Sequence, residues 1–330
     1  MNFRTELLLP TSDLKMGRSS RVLTLGSCFA DVLGQQLKNN KLTVLSNPFG
    51  TIFNPLSIFK LLRQSLENQT PDANLFVQNQ DVWRHYDFHS SLWSNDRNSP
   101  MWQIALQNTG DFFKKANYLI LTFGTAYGYF LKQEDPQLVA NCHKTPATQF
   151  TKALLSVSRI MDDFEATYNL LKAQNPNLQV IVTVSPVRHT RDTLPLNRVS
   201  KSVLRLASHY LQEHFADVSY FPSYELLLDD LRDYRFYKPD LIHPNEVAET
   251  YIFEKFAESH FSDDLKNFVA EWAKIRQALA HRPQQAGTAN HRLFLENLLQ
   301  KLEKISTSED ARAIGVMTEI EQVKAELAKF

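Results

Sequence analysis

The sequence predicts an α/β protein built on a mainly parallel sheet, and three observations lead there. Short apolar runs, Arg21–Leu25, Leu42–Ser46, Tyr118–Phe123, Gln179–Ser185 and Val218–Phe221, read as strands buried on both faces. Amphipathic stretches lie between them, so strand and helix alternate. Small polar residues and glycines close several of the strands, at Gly26-Ser27-Cys28, Gly124-Thr125 and Ser185-Pro186. In an open α/β sheet, ligands gather outside such strand ends.

Each element follows from its own pattern. Phe29–Leu37 carries apolar residues at helical spacing directly after the first strand. Asn54–Leu66 is a second helix, with Pro55 suited to a first turn. Residues 67–111 fit no regular period and hold Trp83, Trp93 and Trp102, so they read as an aromatic-rich insertion with short strands. Phe150–Lys172 and Val199–Phe215 are long amphipathic helices, each leading into the next strand. Glu246–Leu279 reads as helix closing the main domain. A Pro/Gln/Gly stretch from Arg282 to Ala289 marks a linker. Two apolar-striped helices follow, His291–Ile305 and Glu309–Phe330, with Ser306 and Glu309 spaced as a capping box. The expected organisation is a catalytic domain over 1–281 and a C-terminal helical hairpin over 282–330. The hairpin's stripe must pack on the main domain or on a second copy of the chain.

Composition narrows the function. With 330 residues, 43% of them hydrophobic, the chain can bury a large core. Lys and Arg total 36 against 36 Asp and Glu, and no basic stripe stands out, so a nucleic-acid partner is not expected. No apolar run approaches the roughly 18 residues that would span a membrane, and the N-terminus has no secretory pattern. A cytoplasmic location is the resulting expectation. Two cysteines, Cys28 and Cys142, are too few for a disulfide framework. No dinucleotide, P-loop or zincin motif occurs, and Cys142-His143 matches no standard zinc spacing, so no cofactor and no metal are expected.

The residues able to do chemistry cluster at the predicted strand ends. Cys28 follows a strand and a glycine and opens a helix, where backbone N–H groups favour a thiolate. Its neighbour Ser27 suits an N-cap. Far downstream, Asp240 and His243 form an Asp-x-x-His pair in a proline-bounded loop. The imidazole could move a proton and the carboxylate could fix its tautomer. An acyl-transfer site also needs donors for an oxyanion. Gly50, Gly124 and Thr125 offer backbone or hydroxyl groups, and Asn47 and Asn54 offer amides, although turn chemistry accounts for these residues as well. His89 and Arg188 are candidate substrate contacts, Arg188 for an anionic group.

Gly26-Ser-Cys-Phe-Ala30 resembles the signature of the GSCFA family, named for those residues. The resemblance runs from about Asn2 to about Phe261. It takes in Asn47–Pro55, Phe88–Ser91, Leu121–Ala126, Val184–His189, Tyr220–Glu225 and Asp233–Pro244. It implies kinship with the SGNH (GDSL-type) hydrolases, hence a flavodoxin-like three-layer α/β/α sandwich and acyl-ester chemistry. By that kinship Cys28 takes the nucleophile's place, Gly50 and Gly124 fall on the second- and third-block glycines, and Asp240 and His243 on the last block. The chain departs from the pattern in three residues: Cys28 replaces serine, Ser27 replaces aspartate, and Ala126 replaces the oxyanion asparagine. The implied function is ester hydrolysis through an acyl-thioester on Cys28. Transfer of the acyl group to a carbohydrate hydroxyl is the alternative, as the link of related Cys-bearing proteins to polysaccharide acylation suggests. A carbohydrate-binding module with a decayed oxyanion hole is the non-catalytic reading. The expected ligand in every case is a small-molecule or carbohydrate acyl ester.

Overall fold

A computed structural model describes residues 5–9, 15–281, 287–307 and 315–330. The chain divides into two compact units. The first comprises Met1–Leu9, Arg21–Gln35 and Val44–Lys255, and the second Pro10–Ser20, Gln36–Thr43 and Phe256–Phe330.

The first unit is organised by strands β1 (Arg21–Gly26), β2 (Thr43–Ser46), β5 (Tyr118–Phe123), β9 (Gln179–Val184) and β10 (Val218–Tyr220). They form one five-stranded sheet in the order β10-β9-β5-β1-β2. Counted along the chain this is the flavodoxin order, and its ligand crevice falls between the first and third strands. β1, β5, β9 and β10 pair in parallel, with Gly26 opposite Thr122, Phe123 opposite Val184, and Tyr220 opposite Val182. That register brings the ends of β1, β5 and β9 to one edge. All six residues of β5 are buried, as a strand covered on both faces requires.

Helices α1 (Cys28–Asn39), α2 (Pro55–Leu66), α3 (Met101–Phe113), α4 (Val157–Gln174) and α5 (Thr193–His214) intervene between the strands. Leu61, Leu106, Phe164 and Leu204 from the last four of these join Leu23, Leu121 and Val182 of the sheet in one core. Asn54 caps α2 by accepting from Leu56 N, with Pro55 in the first turn, and Ser156 caps α4 through Arg159 N.

Several elements differ from the sequence-based expectation, each for a local reason. The insertion contains a hairpin of β3 (Phe76–Asn79) and β4 (Val82–His85). Gln80 and Asp81 both take positive φ, as a two-residue hairpin turn demands. The insertion also yields to α3, whose buried Trp102, Leu106, Thr109 and Phe113 keep helical spacing. Gly110 and the missing N-cap side chain hide that period. Phe150 starts a strand and not a helix. β6 (Tyr127–Leu131), β7 (Gln137–Val139) and β8 (Phe150–Leu154) make a separate antiparallel sheet, and α4 begins only at Val157. Helix α5 begins at Thr193, ahead of the expected Val199, with Pro195 accommodated in its first turn and Leu194 and Leu196 exposed. After β10 a single turn, α6 (Ser223–Glu225), runs into a π-helical turn, Leu226–Asp230.

The expected helix 246–279 is two helices, α7 (Glu246–His260) and α8 (Asp263–Ala280). Ser262 stops one and caps the other by accepting from Leu265 N. In the second unit Trp272 of α8 is buried, and its Nε1 donates to Asn39 O at 2.8 Å. Lys41 sits over the same indole and pairs with Glu319 at 2.6 Å. Helix α9 (Ala289–Ser306) buries Leu295, Leu298 and Leu302, and α10 (Met317–Leu327) buries Ile320 and Val323. Glu309 of the expected capping box and linker residues 282–286 lie outside the described residues. No described helix is long and apolar enough to cross a membrane.

Candidate active site

The site is built on the end of β1. Gly26 has φ +139, and a Cβ there would collide with the Thr122 carbonyl, so only glycine lets β1 end against β5 in this way. Its N–H donates to Asn47 Oδ1 at 2.9 Å, and the Ser27 N–H donates to Thr122 O at 3.0 Å. Asn47 also donates through Nδ2 to Ser27 O at 3.4 Å. Asn47 thus braces the strand end from the loop after β2. Ser27 is buried, and its Oγ accepts from Phe29 N at 3.3 Å, the capping bond its residue type favours.

Cys28 is then the first residue of α1, half-buried, where helix N–H groups have no partner within the helix. Its thiol titrates above the ordinary range. Burial is the main cause and nearby Asp31 adds to it, against the opposing pull of the Lys201 ammonium and the N–H groups of Cys28 and Phe29. The resting sulfur is a neutral thiol with a helix start and a cation arranged for its anion.

Asp240 and His243 lie on the loop between the 3-10 turn Tyr234–Phe236 and α7. Asp240 Oδ1 accepts from the N–H groups of Ile242 (2.9 Å) and His243 (3.0 Å), and Oδ2 meets His243 Nδ1 at 2.7 Å. The three-residue spacing is what lets one carboxylate cap the turn and hold the ring. Those backbone bonds first, and the imidazole after them, pull the Asp240 carboxyl down to about 2. With Nδ1 given to Asp240, Nε2 is the free nitrogen. Arg188 braces the loop from β9's end: its N–H donates to Ile242 O at 3.2 Å and its Nη1 to Leu241 O at 3.1 Å. The structure makes no hydrogen bond between the Cys28 sulfur and the His243 ring; the charges that act on Cys28 are Asp31 and Lys201.

The backbone donors expected for an oxyanion are engaged within the protein. Gly50 N donates to Asn47 O at 2.7 Å, and Gly124 N and Thr125 N both donate to Phe53 O, at 2.9 and 3.0 Å. Gly50 has φ +71 with the His89 side chain packed where a Cβ would go. Thr125 Oγ1 lies 3.1 Å from Ser200 Oγ. Asn54 spends its amide on capping α2 and on Tyr127 O at 3.0 Å. His89 shares a 2.9 Å hydrogen bond with Ser91 Oγ, and burial lowers its pKa against the pull of the same Asp31 that faces Cys28. The N–H groups of Cys28 and Phe29 are the backbone donors that act on the sulfur.

Lys201 is the site residue the sequence reading missed. It is 1% exposed, donates from Nζ to Ser185 O at 2.7 Å and has no carboxylate partner among the described residues. Burial lowers its pKa to about 7, while Cys28 raises it. The signal was present: Asn197, Ser200, Lys201, Leu204, Ala207, Ser208 and Leu211 form the buried stripe of α5. A lysine on a core stripe is rarely buried without a purpose. Cys28 and Cys142 are both free thiols, and no group of three His, Cys, Asp or Glu among the described residues is placed to hold a metal.

Residues 21–256, which carry this whole arrangement, match the model of the GSCFA family. The chain belongs to the GSCFA family. Residues 272–329 match the C-terminal domain of GSCFA domain proteins, so the helices beyond the sheet unit are also a family feature. No curated protein matches the chain. Among solved structures, this GSCFA protein is similar to a carbohydrate esterase family 3 protein from Talaromyces cellulolyticus. Identity is 12% and the TM-score 0.35, over 76% of this chain and 99% of that one. It is also similar to an acetyl esterase mutant with acetate ion, at 11% identity and a TM-score of 0.35, over 76% and 99% of the respective chains.

Proposed function

We propose that this protein transfers acyl groups through Cys28. The observation that carries the reading is the place of that thiol: first residue of α1, at the point where the sheet order reverses, with the N–H groups of Cys28 and Phe29 acting on its sulfur. A base takes the thiol proton as the sulfur attacks the ester carbonyl. The carbonyl oxygen becomes an oxyanion beside the Cys28 N–H. Collapse then breaks the ester C–O bond, and the alcohol leaves with the proton. In the second half, water or another alcohol attacks the thioester, gives its proton to the base and returns Cys28 as a thiol.

His243 serves as the base, with Asp240 holding its Nδ1. Substrate, or movement of the 237–245 loop, has to complete its approach to the sulfur, since catalytic hydrogen bonds often form only in the loaded complex. The Lys201 ammonium steadies the thiolate as it forms. Hydrolysis of an ester is the first reaction, and transfer to a carbohydrate hydroxyl the second. The test is mass spectrometry after exposure to an activated acetyl ester. An acetyl group on the Cys28 peptide, absent in Cys28→Ala and kept in Cys142→Ala, is the expected result. Equal labelling of both variants sinks the reading.

One observation favours a purely binding role instead. Gly50, Gly124 and Thr125 have their N–H groups engaged, the Ala126 N–H donates to Ser200 Oγ and its side chain supplies no amide, so few donors remain for an oxyanion. A protein of that kind would bind glycans equally well after His243→Ala and turn over no activated ester.

A further inference from the structure

Two adjoining cavities, of about 330 and 530 Å³, open beside the loop that carries His243. They share Arg188, Arg198, Tyr224, Leu228 and Tyr234 in their walls, so they form one cleft. Its size suits a small ligand or a short stretch of a larger one. Arg188 ties the cleft to the candidate active site, because the same residue bonds the backbone of Leu241 and Ile242.

Arginines outnumber acids in the walls of this cleft, with Arg188, Arg198 and Arg232 against Asp229 and Asp233. Arg188 lies 4.2 Å above the Tyr237 ring and 5.1 Å from the Tyr234 ring, which hold the guanidinium in place. Arg198 Nη1 donates to the Tyr224 hydroxyl at 3.0 Å. Neither Arg188 nor Arg198 pairs with a carboxylate among the described residues. The cleft's own acids do not offset them: Asp229 pairs with Arg232 at 2.6 Å and Asp233 with Arg235 at 3.1 Å. Two guanidiniums with most of their donors unspent therefore face one cavity, and a fork of that kind matches a carboxylate or phosphate. Tyr234, 61% exposed at the rim, offers a flat face to a ring.

We infer that this cleft is the acceptor subsite and that its acceptor is an acidic sugar. The anionic group binds Arg188 and Arg198, the ring lies on Tyr234, and a hydroxyl points toward the His243 loop. The inference rests on the acyl-transfer reading above and adds to it the charge of the substrate. Carboxylate-bearing and phosphate-bearing sugars share this chemistry, and the test separates them.

Calorimetry on Cys28→Ala protein, which cannot form the thioester, compares two matched pairs: tetragalacturonate with its methyl ester, and glucose 6-phosphate with glucose. The charged member of at least one pair is expected to bind tenfold or more tightly, and which pair responds identifies the anionic group. Arg198→Gln, which among the described residues loses only the Tyr224 hydroxyl as a side-chain hydrogen-bond partner, is expected to cut that preference at least threefold. Equal binding of charged and neutral sugars, no binding of any of the four, or an unchanged preference in Arg198→Gln each overturns the inference. Discrimination without any acyl-Cys28 in the native protein would remove the acyl-transfer reading and leave an acidic-sugar site. An acyl-Cys28 without discrimination would do the reverse.

Discussion

The Lys201 ammonium is hydrogen-bonded to the Ser185 carbonyl at the carboxyl edge of the sheet, and its charge acts on Cys28. A buried cation without a carboxylate is costly to a fold. Here its field favours the thiolate, opposing burial and Asp31. The pair ties the end of β1 to the end of β9 across β5.

Removing that cation makes the thiol harder to ionise. Lys201→Met is expected to push the Cys28 pKa further up and to slow its alkylation at pH 6, below the lysine's pKa of about 7, by roughly tenfold, the low end of what a neighbouring charge does. The check is the pH–rate profile for iodoacetamide in a Cys142→Ser background. An unmoved profile would show that Lys201 is only structural.

The same lysine sets a pH dependence of stability. Its folded pKa is about 7 against an ordinary 10.5, so between those values the unfolded chain binds more protons and stability rises with pH. Below about 7 the full cost of the buried charge is present. Urea midpoints at pH 7, 8.5 and 10 should climb for the native protein and climb less for Lys201→Met.

Acid acts on a second buried group. His143 Nε2 donates to His85 O at 2.8 Å, and burial lowers the imidazole pKa to about 4. Stability from this residue is complete above the unfolded value of 6.5 and is lost as pH falls from there toward 4. His143→Leu leaves the His85 carbonyl without its donor and is expected to cost about 1–3 kcal/mol at pH 7. The difference from the native protein should shrink at pH 4.5, as read by urea unfolding.

The Asp240 carboxylate holds one tautomer of His243. Asp240→Asn keeps the turn-capping oxygen but offers an amide to Nδ1, and the ring then presents the wrong nitrogen. Acyl release from Cys28 is expected to fall by about 10² to 10⁴, as the loss of a tautomer-holding carboxylate does in related triads. Rapid-quench measurement of thioester decay checks this. Unchanged decay would place the base elsewhere.

Much of this architecture was legible in the sequence because it rests on local signals. The runs at 21–25, 118–123 and 179–185 are apolar on both faces, which marks central parallel strands. Cys28 after Gly26 announces a strand–helix junction, and Asp-x-x-His at 240–243 sets up the capped turn found there. The β6–β7–β8 sheet was hidden because its strands are short and mostly half-exposed or exposed, without clear alternation. Helix α3 was masked by Gly110 in its stripe. The engagement of the Gly50, Gly124 and Thr125 N–H groups follows from contacts with Asn47 and Phe53 that no pattern of residue types reveals. Lys201 needed the neighbours of one helical face to be counted together.

The raised pKa of Cys28 has a consequence for the protein's survival. Peroxide consumes thiolates, and sulfur kept protonated by burial and Asp31 reacts slowly with it. In the proposed acyl-transfer cycle, the resting thiol would be spared irreversible loss to sulfinic acid between turnovers, at the expense of needing a proton acceptor for each attack. A thiol held in this way would meet peroxide more slowly than an always-ionised cysteine does.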